Sequence, residues 1–359
     1  MPDPASKAAP AVSIVMPVRD GERFLQIAID SVLAQSFADF ELIIIDDGSS
    51  DSTPAILAEA ARRDPRIVVI REEPTGVAAA FNLGIATARA PLIARLDSDD
   101  IALPERLARQ VETMQSEPSL GLLGSFAETI DESGRTLGSR TPPVSHDALV
   151  TFLARNDPFV TSTVMLRTEL ARTLGGYRAA IEVAEDYDLW LRMAERARIA
   201  NLPETLVRYR VHLQSESGRK EVRLAFSTRL ARRAAAERQA GRPDPIDGLS
   251  VPPDWCAIPA DSFFVEDARD FRLLQFADPV VAKSLDPAAI DPEAFDGLAA
   301  RLDHRERRLA QRALLHLLRR DDRPPWLGRA RLFRLLIWLH PARAAKMLAL
   351  ELAGVRAST

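Results

Sequence analysis

Three acids in four positions, Asp97, Asp99 and Asp100, end a run that is apolar from Leu92 to Leu96 except at Arg95. Carboxylates this close repel one another and become stable together mainly when a cation sits among them. Hard oxygen ligands suit Mg2+ or Mn2+, and such an ion keeps open positions for substrate phosphates. Asp97 and Asp99 therefore read as a metal and nucleotide site at the carboxyl end of a strand. The alternative is a solvated loop in which Asp100 helps to start a helix around Pro104-Glu105-Arg106-Leu107, since proline is tolerated in a first turn. Two other groups of acids raise the same question. Asp46-Asp47 closes the apolar run from Leu42 to Ile45. Glu185, Asp186 and Asp188 open a segment in which Leu189, Arg192 and Met193 continue at helical spacing. A helix dipole favours negative charge in its first turn, an account that is strong for one acid and weaker for three.

The elements that must position these acids are legible as alternating strands and helices. Val12 to Val18, Phe40 to Ile45, Arg66 to Arg71 and Leu92 to Leu96 read as strands; 21–33, 53–61 and 76–88 read as helices. Almost purely apolar strands in β-α units predict a parallel sheet covered by helices on both faces, with ligands beyond the carboxyl ends of the strands. Asp46-Asp47 and Asp97-Asp99-Asp100 then share one crevice. Further on, a helix is expected over 107–114, a strand over 120–126, turns and a hairpin over 131–145, and a helix over 147–154. Thr161 to Leu166 reads as a strand, its hydroxyls explained by the β-propensity of threonine or by contact with a sugar. Leu206 to His212 reads as a closing strand with a basic, imidazole-bearing end.

The chain has 359 residues, enough for one large or two modest domains. Its formal charge of −4 argues against general nucleic-acid binding. The single cysteine, Cys256, rules out an internal disulfide and a cysteine-based zinc site, in keeping with a cytoplasmic protein. Residues 1–10 are small and polar, without the charged-then-apolar pattern of a signal peptide, and are expected to be disordered. No window reaches the ~20 apolar residues of a spanning helix. A charged helix over 221–240 and a Pro-rich break over 242–253 place a linker at 219–253, ahead of a mainly helical region at 254–359. Residues 301–359 carry fourteen Lys/Arg against five Asp/Glu, a net of +9, so the rest of the chain carries −13. Within that region, Trp326 to Leu339 combines spaced arginines with Trp, Phe and Leu, the composition of a helix lying in a membrane interface. A terminal helix packed on the chain, or on a second copy, is the commoner outcome for such a stripe.

Five motifs, in order, together resemble the family 2 glycosyltransferases of the GT-A fold, the inverting group that builds bacterial surface polysaccharides. They are Val15-Met16-Pro17-Val18-Arg19-Asp20, Ile45-Asp46-Asp47-Gly48-Ser49, Asn82-Leu83-Gly84-Ile85-Ala86, Leu96-Asp97-Ser98-Asp99-Asp100 and Glu185-Asp186-Tyr187-Asp188-Leu189-Trp190. The resemblance covers about residues 11–215 and implies a transferase domain at 11–218. It also implies that Pro17 and Arg19 shape the nucleotide pocket, that Asp46 accepts a hydrogen bond from the base, typically uracil, and that Arg95 is a further nucleotide contact. Asp97 holds the donor ribose or sugar, Asp99 ligates Mn2+ or Mg2+, and His212 matches a position where some members supply another metal ligand. Asp186 takes the place of the catalytic base, which the chemistry requires because an acceptor hydroxyl must lose its proton as it attacks. Glu185 and Asp188 follow as supporting acids, and Trp190 as core.

Two positions depart from the pattern: Phe81 stands where many relatives have a basic or polar residue, and Pro74-Thr75 replaces a common Asn and Gly. The expected activity is transfer of a sugar from a nucleotide donor, UDP-linked, to a glycan or lipid-linked acceptor. The basic end of the chain points to peripheral contact with the inner membrane face, and the terminal helices to a homo-oligomer. Rival readings are a silent nucleotide-sugar-binding scaffold subunit and a sugar-phosphate nucleotidylyltransferase. The latter wants a Gly-rich basic loop after the first strand, where this chain has Pro17-Val18-Arg19-Asp20-Gly21.

Overall fold

The structure, a computed structural model, describes residues 9–212, 221–259, 261–295 and 297–339. Most of the expected disordered N-terminus, the last residues of the expected transferase domain and the basic stretch 340–359 lie outside the described residues. The chain divides into two compact units. The first holds residues 1–219, 231–244 and 248–250; the second holds 220–230, 245–247 and 251–359.

The first unit is built on one nine-stranded sheet. Strands β1 (Val12–Val18), β2 (Phe40–Asp47), β3 (Ile67–Glu72) and β4 (Leu92–Arg95) pair in parallel, in the order β3-β2-β1-β4. Every residue of β1, β2 and β4 is buried, as expected of strands covered on both faces. The helices between them are α1 (Leu25–Leu33), α2 (Thr53–Arg63) and α3 (Val77–Thr87). Gly84 lets α3 lie directly on the sheet: a Cβ there would meet Val15 Cγ1 at 2.2 Å.

Past β4 the sheet changes character. A two-residue strand β5 (Ile101–Ala102) precedes α4 (Arg106–Ser116), followed by β6 (Leu120–Ile130) and the hairpin partner β7 (Thr136–Arg140). Then come α5 (His146–Leu153), β8 (Met165–Arg167), α6 (Thr168–Thr173), α7 (Glu185–Ala194) and β9 (Arg198–Arg210). Strand β8 runs antiparallel to β4 and β6, while β9 runs parallel to β6 over nearly its whole length.

One expectation fails here. Thr161–Thr163 is a 3-10 turn, and strand β8 begins only at Met165. The turn wins because Val160 O accepts both the backbone N–H and the hydroxyl of Thr163, each at 2.7 Å, a local bond that competes with ladder pairing.

Helix α8 (Glu221–Gln239) divides at residue 230, its later part grouping with the first unit. The second unit by itself is helical, with longer helices at Val265–Leu274, His304–Leu318 and Arg329–Leu339. Its core holds an ion cluster in which buried Arg229 meets Asp270 at 2.7 Å and Glu306 at 2.8 Å, and Arg301 meets Asp270 at 2.7 Å. Asp303 starts the second of these helices with a capping box closed by Glu306. In the helix Arg329–Leu339, Leu332 and Leu336 are buried while Ile337 and Trp338 are exposed. Among the described residues no helix is long and apolar enough to cross a membrane.

Candidate active site

The acids gather where the sheet topology sends them. Antiparallel pairing of β5 with β9 sets Ile101 opposite Arg208, so the loop just before β5 lies beside the end of β9. There His212 Nε2 stands 2.9 Å from Asp99 Oδ2. Arg210 fixes the same loop: its backbone N–H donates to Asp100 Oδ1 at 2.7 Å and its Nε to Asp99 O at 2.8 Å. Phe24 packs against both, 4.4 Å from the Arg210 guanidinium and 5.6 Å from the His212 ring. Burial, then the charge of Asp97, pushes Asp99 above the usual carboxylate range, with His212 acting the other way. Burial, then Asp99 and Asp97, pushes Asp100 well up.

This donor set fits a divalent ion. A carboxylate oxygen and an imidazole nitrogen converge beside crowded acids, leaving positions for phosphate oxygens. Among the described residues no group of three or more His, Cys, Asp or Glu could hold a metal ion. Among the described residues, Asp99 and His212 are the pair whose side chains meet here.

At the other end of the crevice the loops after β1 and β2 are tied together. Asp20, with φ of 50°, donates its backbone N–H to Ser49 Oγ at 3.0 Å, and its Oδ1 accepts from Ser50 N at 2.8 Å. Asp46 is 1% exposed. Its Oδ1 accepts from Ser49 N at 2.9 Å, whereas among the described residues Oδ2 has no hydrogen-bond donor and lies 3.6 Å from the Arg71 guanidinium. Asp47 is fully used: it accepts from Thr75 N at 2.6 Å, Thr75 Oγ1 at 3.1 Å and Gly76 N at 3.0 Å. Pro17 is buried in β1, and Arg19 is exposed just past it.

Between these ends lies Arg95, only 5% exposed. Its Nε donates to Asp97 at 3.0 Å and its Nη1 to the Tyr177 hydroxyl at 2.6 Å, and its guanidinium lies 5.0 Å from the Phe81 ring centre. Burial opposes its charge, but Asp97, then Tyr177, Asp186 and Glu185 outweigh that and hold it firmly protonated. Phe81 therefore backs the arginine, stacked on Tyr177 at 4.7 Å. Neighbouring Asn82 explains the rest of its motif. It exchanges two hydrogen bonds of 2.8 Å with the Tyr177 backbone, joining α3 to the segment before α7.

The acids of α7 separate into different environments. Asp186 Oδ2 accepts from the Thr161 hydroxyl at 2.6 Å, and Oδ1 from the Tyr187 N–H at 2.7 Å. Glu185 is buried, and that burial, then Asp186, raises it to about 8, with Arg95 opposing. Asp188 is fully buried and committed elsewhere, bonded to Arg178 and to Arg192, whose Nε lies 3.0 Å away. Trp190 is fully buried. Three residues bond the acids in ways the sequence reading did not assign: Thr161, Ser162, whose Oγ accepts from Asp97 N at 3.0 Å, and Arg210. Their signal was weak, since hydroxyls at β-propensity positions and a basic strand end look ordinary.

Comparison with known proteins agrees with this architecture. The chain resembles solved structures of Staphylococcus aureus TarS in complex with UDP-GlcNAc (16% identity, TM-score 0.55, covering 93% of this chain and 87% of that one). It also resembles the mannosyltransferase PcManGT of Pyrobaculum calidifontis in complex with GDP-Man and Mn2+ (19% identity, TM-score 0.50, 96% and 89% covered). The fold is thus of the GT-A type, with a helical C-terminal region. In sequence, residues 13–175 match the model of glycosyl transferase family 2. The putative glycosyltransferase EpsE of Bacillus subtilis is 35% identical over 56% of this chain and 74% of its own length. The O-antigen biosynthesis glycosyltransferase WbnJ of Escherichia coli is 32% identical over 57% and 81%. The chain belongs to glycosyl transferase family 2.

Proposed function

We propose that this glycosyltransferase is inverting and moves a sugar from a UDP-linked donor to a glycan or lipid-linked acceptor in surface-polysaccharide synthesis. The observation that carries the reading is the juxtaposition of Asp97 and Asp186, held by the adjacent residues Ser162 and Thr161. A donor-site acid and a carboxylate that accepts, among the described residues, from a hydroxyl and a backbone N–H then face one reaction centre. The free Oδ2 of Asp46 accepts the base N–H, with Pro17 and Arg19 flanking the nucleotide. Arg95, being buried, acts by orienting Asp97 more than by touching the donor directly.

Asp186 takes the proton of the acceptor hydroxyl as its oxygen forms a bond to the anomeric carbon. The bond from that carbon to the diphosphate oxygen breaks, and the nucleoside diphosphate leaves with the electron pair. Attack opposite the leaving group inverts the centre. Glu185, protonated at neutral pH, keeps a second negative charge away from Asp186. Asp188 supports the site by anchoring α7 through Arg178 and Arg192. Mn2+ or Mg2+ held by Asp99 and His212 would neutralise charge on the departing diphosphate.

The domain carrying this chemistry spans 11–218. Peripheral attachment to the inner membrane face through the basic, Trp-bearing helix Arg329–Leu339, and self-association through the C-terminal helices, complete the reading. The test is incubation with UDP-, GDP- and dTDP-sugars in Mn2+, Mg2+ or EDTA. Release of UDP that depends on the metal supports the reading, and indifference to every donor overturns it. Salt-sensitive flotation with acidic liposomes tests the membrane contact.

A further inference from the structure

The 3-10 turn Thr161–Thr163 is bonded to both halves of the site. Ser162, fully buried, accepts the N–H of Asp97 at 3.0 Å, and Thr161 donates its hydroxyl to Asp186 at 2.6 Å. The turn is itself held from below. Arg95 N donates to Val164 O at 3.0 Å, Gln110 Nε2 to Thr163 O at 2.7 Å, and Val164 N closes back on Thr161 O at 3.2 Å. Gln110 is anchored in α4 and fully buried, so the turn cannot shift without disrupting the sheet side of the crevice.

The Asp186 carboxylate is thus gripped at both oxygens. The Tyr187 N–H holds Oδ1 from the carboxylate's own helix, and Thr161 holds Oδ2 from a different element. A carboxylate has about four lone-pair sites, so two bonds leave capacity to accept a substrate proton while fixing the plane of the group. A hydrogen bond from the helix alone would leave the group free to rotate about its last torsion, which is broad for aspartate.

We propose that Thr161 is the positioning residue of the base, orienting Asp186 from a turn that also seats Asp97, so that donor binding and base alignment belong to one rigid element. The inference rests on Asp186 being the base. It assigns Thr161 a role through Asp186 and Ser162 a role through Asp97, and the two are therefore separable.

The experiment compares Thr161→Val, Thr161→Ser and Ser162→Ala with the wild type, in full-length chain. Turnover is measured with the sugar donor that the wild type uses, and binding with UDP by calorimetry. Thr161→Val keeps the shape and removes the donor. Its kcat is expected to fall roughly 10- to 100-fold, the effect of a small misplacement of a reacting group, with UDP affinity within about twofold of wild type. Thr161→Ser restores kcat to within about threefold, because the hydroxyl returns. Ser162→Ala shows the opposite split, with weaker UDP binding as its main effect. Unchanged kcat in Thr161→Val, equal loss of kcat and UDP affinity in that variant, or failure of Thr161→Ser to rescue each overturns the inference.

A crystal structure of Thr161→Val, or of Thr161→Ala should the former not fold, is read independently of turnover. A second Asp186 rotamer is expected, and retention of the single wild-type rotamer refutes the link. If the wild type transfers from no donor, the base reading itself fails, and the crystallographic result still decides whether Thr161 orients Asp186.

Discussion

Replacing Asp46 with Asn isolates base recognition from everything else in the crevice. The side chain is buried, one oxygen is satisfied by Ser49 N at 2.9 Å, and the other has no hydrogen-bond donor among the described residues. Asn keeps the first bond through its own carbonyl oxygen and puts an NH2 where the free carboxylate oxygen was. A base N–H that donates to the aspartate would then meet another donor. Hydrogen bonds to charged groups contribute about 1.5–3 kcal/mol, and a buried group left unmatched costs about 1–3 kcal/mol. A net loss of roughly 2–4 kcal/mol corresponds to about 30- to 1,000-fold weaker binding, at about 1.4 kcal/mol per tenfold. Calorimetric titration with UDP measures this directly, and titration with pyrophosphate serves as the control because it carries no base. UDP affinity should collapse while pyrophosphate affinity stays within about twofold of wild type. Equal UDP affinity in both proteins, or a parallel loss for pyrophosphate, refutes the assignment of Asp46 to the base.

Three further outcomes follow from the same geometry. Asp188→Ala strands Arg178 and Arg192 around a buried gap and should cost about 3–5 kcal/mol, read from chemical denaturation; a loss below about 1 kcal/mol contradicts the anchoring role. Glu185 titrates near 8 in the folded state and near 4.5 unfolded, so the folded protein binds the extra proton between those values. Its contribution is therefore fully present below about 4.5 and lost as pH rises toward 8, at up to about 1 kcal/mol per pH unit. Glu185→Gln should flatten that part of the stability–pH curve, and an unchanged slope excludes Glu185 as its source. Gly84→Ala drives a methyl group into Val15 and should lower stability by about 1–3 kcal/mol in thermal unfolding, with wild-type stability as the contradicting result.

The first four strands were legible because their apolar, β-branched runs, such as Val12 to Val18 and Leu42 to Ile45, admit almost no other reading, and the acids sit where those runs stop. Burial of Trp190 followed from the family resemblance. Arg95 left a clue that was only half used: a charge inside an otherwise apolar strand must be paired, here by Asp97 and Tyr177. What escaped was non-local. The long pairing of Leu120–Ile130 with Arg198–Arg210, which delivers Arg210 and His212 to Asp99, depends on contacts that no local period encodes. Thr161-Ser162-Thr163 reads as strand by propensity, yet folds as a turn because its hydroxyl and amide find Val160 O nearby.

The central claim is that Asp186 takes the acceptor proton, and the most direct test is single-turnover sugar transfer by Asp186→Asn beside its UDP-sugar affinity. Asn is close in size and cannot accept the proton as a carboxylate does, so transfer should fall roughly 10²- to 10⁴-fold with donor affinity unchanged. Transfer at the wild-type rate by a protein that still binds donor contradicts the account.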